Sequence, residues 1–322
     1  MGSSILSLFT GRSGRRAVET VIPQRTFADV ILPPETRRTL DLALGEVHNH
    51  SLIFGRWGLG ERHTSGLGLA FNFAGPPGTG KTICAEAIAH TLGMKLLVVD
   101  YAEVESMWMG ETPKNIAAAF RSAAEQKAVL FFDEADSIAA RRSSGAGLPH
   151  QREANTTVNV LLRELDAFNG VVIFATNLAA NFDPAFERRI RTHVRFLMPG
   201  VEERERIWQV QIHPKKTPLA KDVSFGELAE KFVLSGGDIR NAVIKAASAA
   251  AAEPGAEVGR KIHQHHFERA AEDVIAGKAV MQQSLFAEDP PPARTLAQMV
   301  PMLLAGSALI VALLSLVIVL LR

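Results

Sequence analysis

The run Gly75-Pro76-Pro77-Gly78-Thr79-Gly80-Lys81-Thr82 sets a glycine-rich turn, a lysine and a hydroxyl in the order needed to hold a nucleoside triphosphate. Glycines let consecutive backbone N–H groups curl round a phosphate, and a helix N-terminus adds partial positive charge. Lys81 then has the reach for the β- and γ-oxygens, and the Thr82 hydroxyl is a ligand for Mg²⁺. The chemistry needs a strand before the turn and a helix after it. Leu69–Ala74 is short, apolar and aromatic like a buried strand, and Thr82–Leu92 has helical periodicity.

Holding a triphosphate is not yet hydrolysing it. Val129–Phe132 is an apolar strand that ends in Asp133 and Glu134, which sets Asp133 beside the metal and Glu134 where a carboxylate can take a proton from water. Asp133-Glu134-Ala135-Asp136 also spells the signature of RNA helicases, so an RNA-dependent translocase is one rival reading. Charge argues against it. With 35 basic and 34 acidic residues the net charge is +1, and no global basic excess marks a phosphate backbone as partner, so no nucleic acid is expected.

From about Phe27 to Ala252 these pieces resemble the AAA family of ATP-driven remodelling machines. Asn177, after the apolar strand Val171–Ala175, looks like the family's first sensor, a polar group orienting the water that attacks the γ-phosphate. The segment 182–191 is similar to the second region of homology, whose arginines project into a neighbouring subunit's site. Arg188 and Arg189 are the finger candidates, with Arg191 and Arg195 crowding the assignment. Guanidinium suits the role because it stays charged and spreads its donors over a planar fork. Asp166–Gly170 has the look of the family's intersubunit-signalling turn, and equally of a helix end.

Segment 106–115 resembles the family's pore loop, in which an aromatic, an apolar residue and a glycine line a central channel. Trp108, Met109 and Gly110 take those places, and an indole beside methionines grips an unfolded chain without sequence preference. The resemblance also implies a helical lid. Val201–Ile212 is amphipathic, Ser224-Phe225-Gly226-Glu227 fits a capping box opening a short helix, and Ser235-Gly236-Gly237-Asp238 opens a longer Ala-rich one that brings backbone close to the nucleotide. Relatives often have an arginine directly after the small pair. Here that place holds Asp238, and whether Arg240 serves instead stays open. Asp29–Ile31 and Trp57-Gly58 sit where relatives contact adenine, and core packing accounts for them equally well.

Past the lid the composition changes. Asp289-Pro290-Pro291-Pro292 is a stiff linker, and 300–321 runs for about 22 residues without a charge, a helix of roughly 33 Å that suffices to cross a bilayer. The one cysteine, Cys84, allows no intrachain disulfide and fits a reducing compartment. His263, His265 and His266 lack a cysteine or acidic partner at metal-site spacing.

The expected architecture is α/β: a flexible N-terminus (1–25), an ATPase domain with a parallel sheet flanked by helices (26–200), a helical lid (201–280), a Pro-rich linker (281–298) and a C-terminal membrane anchor (299–322), with the ATPase domain on the cytosolic side. The implied function is ATP hydrolysis, with Mg²⁺, in a homo-oligomeric ring, a hexamer by resemblance, that remodels, extracts or partly unfolds protein substrates at a membrane. An ATP-switched scaffold that assembles a partner without threading it is the alternative.

Overall fold

The computed structural model describes residues 18–63, 68–99, 111–139, 149–177, 182–254 and 259–282. The chain divides into two compact units, Met1–Ala271 and Glu272–Arg322. The linker prolines 290–292, the apolar segment 300–321 and the pore-loop residues Trp108, Met109 and Gly110 lie outside the described residues. Among the described residues no helix is long and apolar enough to cross a membrane.

The first unit is built on a six-stranded sheet in the order β1-β3-β4-β5-β2-β6. Its strands are β1 (Val18–Val21), β2 (Leu69–Ala74), β3 (Leu96–Val99), β4 (Val129–Phe132), β5 (Val171–Thr176) and β6 (Thr192–Arg195). The parallel sheet expected from sequence is a mixed one. Five strands are parallel, but β1 runs antiparallel along the outer edge of β3, with Val18 opposite Val99 and Val21 opposite Leu96. An antiparallel edge strand needs no crossover helix, so a short segment from ahead of the first helix can add itself there.

The central strands are apolar on both faces, as a sheet covered on both sides requires. Phe71, Phe131 and Ile173 face one layer, where α1 (Pro34–His48) contributes Leu40 and Leu44, and α3 (Lys81–Thr91) contributes Cys84 and Ile88. Leu130, Phe132 and Phe174 face the other, with Phe120 of α4 (Glu111–Gln126) and Leu161 and Leu165 of α5 (Pro149–Ala167). A short helix α2 (Leu59–Arg62) precedes β2. Burial in this layer pushes the Cys84 thiol far above its ordinary range, so Cys84 acts as a small apolar group.

After β6 the chain is helical: α6 (Val201–Val210), α7 (Phe225–Lys231), α8 (Gly236–Ala252) and α9 (Gln264–Gln282). Ser224 Oγ accepts from the Glu227 N–H and caps α7. Ser235 and Asp238 form a reciprocal capping box on α8, each side chain accepting from the other's backbone N–H. Asp238 therefore serves the helix start. Trp208 packs edge-on against Phe267 with ring centroids 5.8 Å apart, and both are fully buried, which joins α6 to α9.

Candidate functional site

The β2–α3 connection leaves the sheet between β5 and β6. Gly75 N–H donates to Thr176 O at 3.2 Å and extends the β2–β5 pairing by one residue. Gly78 (φ 76°) and Gly80 (φ 100°) then take left-handed conformations that side chains disfavour, and α3 opens at Lys81. Gly78 is also in contact with the helical segment. Its carbonyl accepts from Gly237 N–H at 2.9 Å, and a Cβ on Gly78 would lie 2.5 Å from Ser235 Oγ. Thr79 Oγ1 donates to Pro76 O at 2.8 Å and closes the loop from within.

Lys81 is the buried cation at the centre. Its Nζ donates to Gly75 O (2.7 Å), Pro76 O (2.9 Å) and Asn177 Oδ1 (2.9 Å). Burial draws its pKa down, and the negative charges of Asp133 and Asp136 pull it partly back. Thr82 Oγ1 donates to Asp133 Oδ2 at 3.2 Å, while Asp133 Oδ1 accepts from Glu134 N–H at 3.0 Å. A hydroxyl and a carboxylate set this close are hard oxygen donors, the set Mg²⁺ prefers. Glu134 is exposed at φ 50°, a left-handed conformation rare for a side-chain-bearing residue and one that tends to mark functional turns.

These groups open onto one cavity of about 350 Å³. Gly78 to Thr82, Asp133, Glu134 and Asn177 form its polar wall, and Val30, Ile31, Ile207 and Val210 form an apolar one. An apolar wall facing a phosphate loop suits a nucleobase. Of the residues whose place the sequence leaves open, Asp29 and Arg240 line the cavity, whereas Trp57 is 65 % exposed and does not. Ile207 and Val210 belong to no motif in the sequence. Their place on the apolar stripe of α6 was the available signal, but a stripe does not say what it covers.

The arginines lie at the opposite end of the same strands. Gly68, Leu69 and Gly170, where β2 and β5 begin, share a recess of about 710 Å³ with Arg188, Arg189 and Arg191. Arg189 is held within the chain: Nε and Nη2 meet the two carboxylate oxygens of Asp166 at 2.8 and 2.7 Å, and Nη1 donates to Ala185 O at 2.9 Å. Arg191 pairs with Glu46 at 2.7 Å and donates to Gly68 O. Arg188 is exposed and makes no hydrogen bond or ion pair among the described residues.

The fold supplies the histidine cluster with an acid that sequence spacing did not reveal. Ligand atoms of Glu253, His265 and His266 come within 4.8 Å of one another. His266 Nδ1 accepts from His263 N–H at 3.0 Å, so the neutral ring carries its proton on Nε2, which donates to Glu253 Oε1 at 2.9 Å. Both ring nitrogens are satisfied, and the contact ties the end of α8 to the start of α9.

Residues 71–199 match the family model described as ATPase family associated with various cellular activities (AAA). Among similar curated proteins, Protein CdcH of Halobacterium salinarum is 39% identical over 210 residues, 62% of this chain and 27% of the relative. The Cell division cycle protein 48 homolog of Archaeoglobus fulgidus is 38% identical over 217 residues, 62% of this chain and 29% of the relative. The ATP-dependent zinc metalloprotease FtsH of Chloroflexus aggregans is 32% identical over 283 residues, 86% of this chain and 41% of the relative. The chain thus spans less than half the length of each.

Proposed function

From the premise that the chain carries an AAA ATPase domain and is an ATPase, we propose that it works as an ATP-driven ring that remodels protein substrates at a membrane. The observation that carries the chemistry is the meeting of Lys81, Asn177, Thr82 and Asp133 at the C-terminal ends of three parallel strands. Lys81 has three ammonium donors, and exchanging its loop carbonyls for β- and γ-oxygens holds the triphosphate. Thr82 and Asp133 would hold Mg²⁺, which supplies neutralisation of the charge that builds on the phosphates. Asn177 Oδ1 accepts from Lys81 Nζ, which leaves its amide N–H groups to face the γ-phosphate or the attacking water. Glu134, on the same cavity wall, takes the proton of that water.

The ring reading rests on polarity. Arg188 stands at one end of β2 and β6 and the phosphate loop at the other. Head-to-tail stacking of two copies therefore offers an uncommitted guanidinium to a triphosphate, and a heterologous contact of this kind closes into a ring when its rotation allows. Trp108, Met109 and Gly110 would grip the substrate polypeptide. The apolar run 300–321, behind its proline linker, would anchor the ATPase domain on the ATP-containing side of the membrane.

A photo-crosslinking residue at position 108 in the Glu134→Gln protein tests the remodelling step. ATP-dependent crosslinks to substrate protein are expected. If no such crosslinks form and Trp108→Ala supports assembly of the partner as well as the parent, the chain is an ATP-switched scaffold instead.

A further inference from the structure

Asp136 follows the two acids of the site, and no step of hydrolysis uses it. The fold places its carboxylate against β5. Thr176 Oγ1 donates to Asp136 Oδ1 at 3.0 Å, with Thr176 fully buried and Asp136 half-buried. One residue earlier on each segment, Ala135 N–H donates to Ala175 O at 2.8 Å. β4 and β5 are already parallel neighbours, with Phe132 opposite Phe174, so these two bonds carry the junction beyond the last residue of β4.

What the junction spans matters. Glu134 lies between Phe132 and Asp136 at φ 50°, and its carbonyl accepts from Ser137 N–H at 3.0 Å. A left-handed conformation at such a residue is strained and persists only where its flanks are fixed. Upstream, Asp133 Oδ1 fixes the Glu134 N–H. Downstream, the Asp136–Thr176 bond is the side-chain restraint. On the other segment Thr176 is followed at once by Asn177, whose Oδ1 accepts from Lys81. Glu134 and Asn177 face the same cavity.

We infer that Asp136 and Thr176 are positioning residues for hydrolysis: their hydrogen bond fixes the Glu134 turn relative to Asn177, and so fixes where water is held against the γ-phosphate. Neither lines the cavity. The inference rests on hydrolysis at this site. Asp136 has a second effect, since its charge favours protonated Lys81, and the two can be separated because asparagine keeps an acceptor oxygen while losing the charge.

The test uses the full 322-residue chain, with steady-state ATPase kinetics and the Kd of a fluorescent non-hydrolysable ATP analogue measured for each variant. Thr176→Val and Asp136→Ala are expected to lower kcat about 10- to 100-fold, as a small misplacement of a reacting group does. The analogue's Kd stays within about threefold. Asp136→Asn and Thr176→Ser recover most of the lost rate, and the Thr176→Val/Asp136→Ala double variant is no slower than the worse single, because one bond is lost once. Should Thr176→Val fail to fold, Asp136→Ala against Asp136→Asn carries the test. The inference is overturned if Kd weakens in step with kcat, if Asp136→Asn is as slow as Asp136→Ala, or if the double variant's losses multiply. Rapid hydrolysis by Glu134→Gln, measured alongside, would instead remove the underlying assignment of Glu134.

Discussion

Arg189 and Asp166 form a two-pronged ion pair, Nε to Oδ1 at 2.8 Å and Nη2 to Oδ2 at 2.7 Å, while the adjacent Arg188 reaches outward. Two neighbouring arginines that look alike in sequence thus stand in different surroundings, one paired and one exposed. A guanidinium committed to a carboxylate in both of its parallel donors has little left for a phosphate, whereas an uncommitted one can meet charge that develops on another copy.

Arg188→Ala is therefore expected to lower kcat by about 100-fold or more and leave ATP affinity within a few-fold, since a finger acts on transition-state charge. Arg189→Ala removes a structural pair instead. It should lower unfolding stability by about 1–2 kcal/mol, a figure held down by the partial exposure of Asp166. Steady-state kinetics and thermal melts of both variants check the division, and equal kinetic losses with unchanged melts would merge the two roles.

A finger supplied by another copy makes a further demand. Arg188→Ala and Glu134→Gln proteins, each inactive alone, should regain turnover when mixed, because some interfaces then pair an intact Arg188 with an intact Glu134. The hydrolysis rate across a mixing series reads this out. No recovery in rings shown to be mixed would count against a site shared between copies.

Gly78→Ala probes the contact between the phosphate loop and α8. The new methyl meets Ser235 Oγ at 2.5 Å and the backbone stays at φ 76°. ATP binding should weaken about tenfold or more, with a melting temperature lowered by several degrees. Binding isotherms on a protein that still folds would expose any tolerance of that methyl, and with it a loop free of the helix.

How much of this was legible in the sequence depended on how local each feature was. The phosphate loop is contiguous, so residue types and order alone located it, and the apolar strands Leu69–Ala74 and Val129–Phe132 announced the sheet that holds it. The helix starts at Ser224 and Ser235 were readable for the same reason, but the reciprocal capping box stands at Ser235 and not at Ser224, where the pattern Ser-x-x-Glu suggests it. Strand β1 was not, because the partner of Val18 is Val99 and nothing local marks a four-residue edge strand. Nor were Arg189–Asp166 or His266–Glu253, which join residues 23 and 13 positions apart across turns whose geometry only the fold fixes. Asp136 was read as part of a helicase-like string, since its partner Thr176 lies on another strand.

Removing residues from Val300 onward tests the proposed anchor apart from the chemistry. The truncated chain is expected to bind and hydrolyse ATP yet lose carbonate-resistant membrane association. A full chain recovered in the soluble fraction would give the apolar segment another role.

The central claim, that ATP is held by Lys81 and hydrolysed with Glu134, is tested most directly by ATP-binding isotherms and steady-state hydrolysis on Lys81→Ala and Glu134→Gln side by side. The account predicts that Lys81→Ala loses ATP binding by about 100-fold or more, while Glu134→Gln binds ATP as the parent does and turns over at least about 100-fold more slowly. Tight ATP binding by Lys81→Ala, or near-parental hydrolysis by Glu134→Gln, would contradict it.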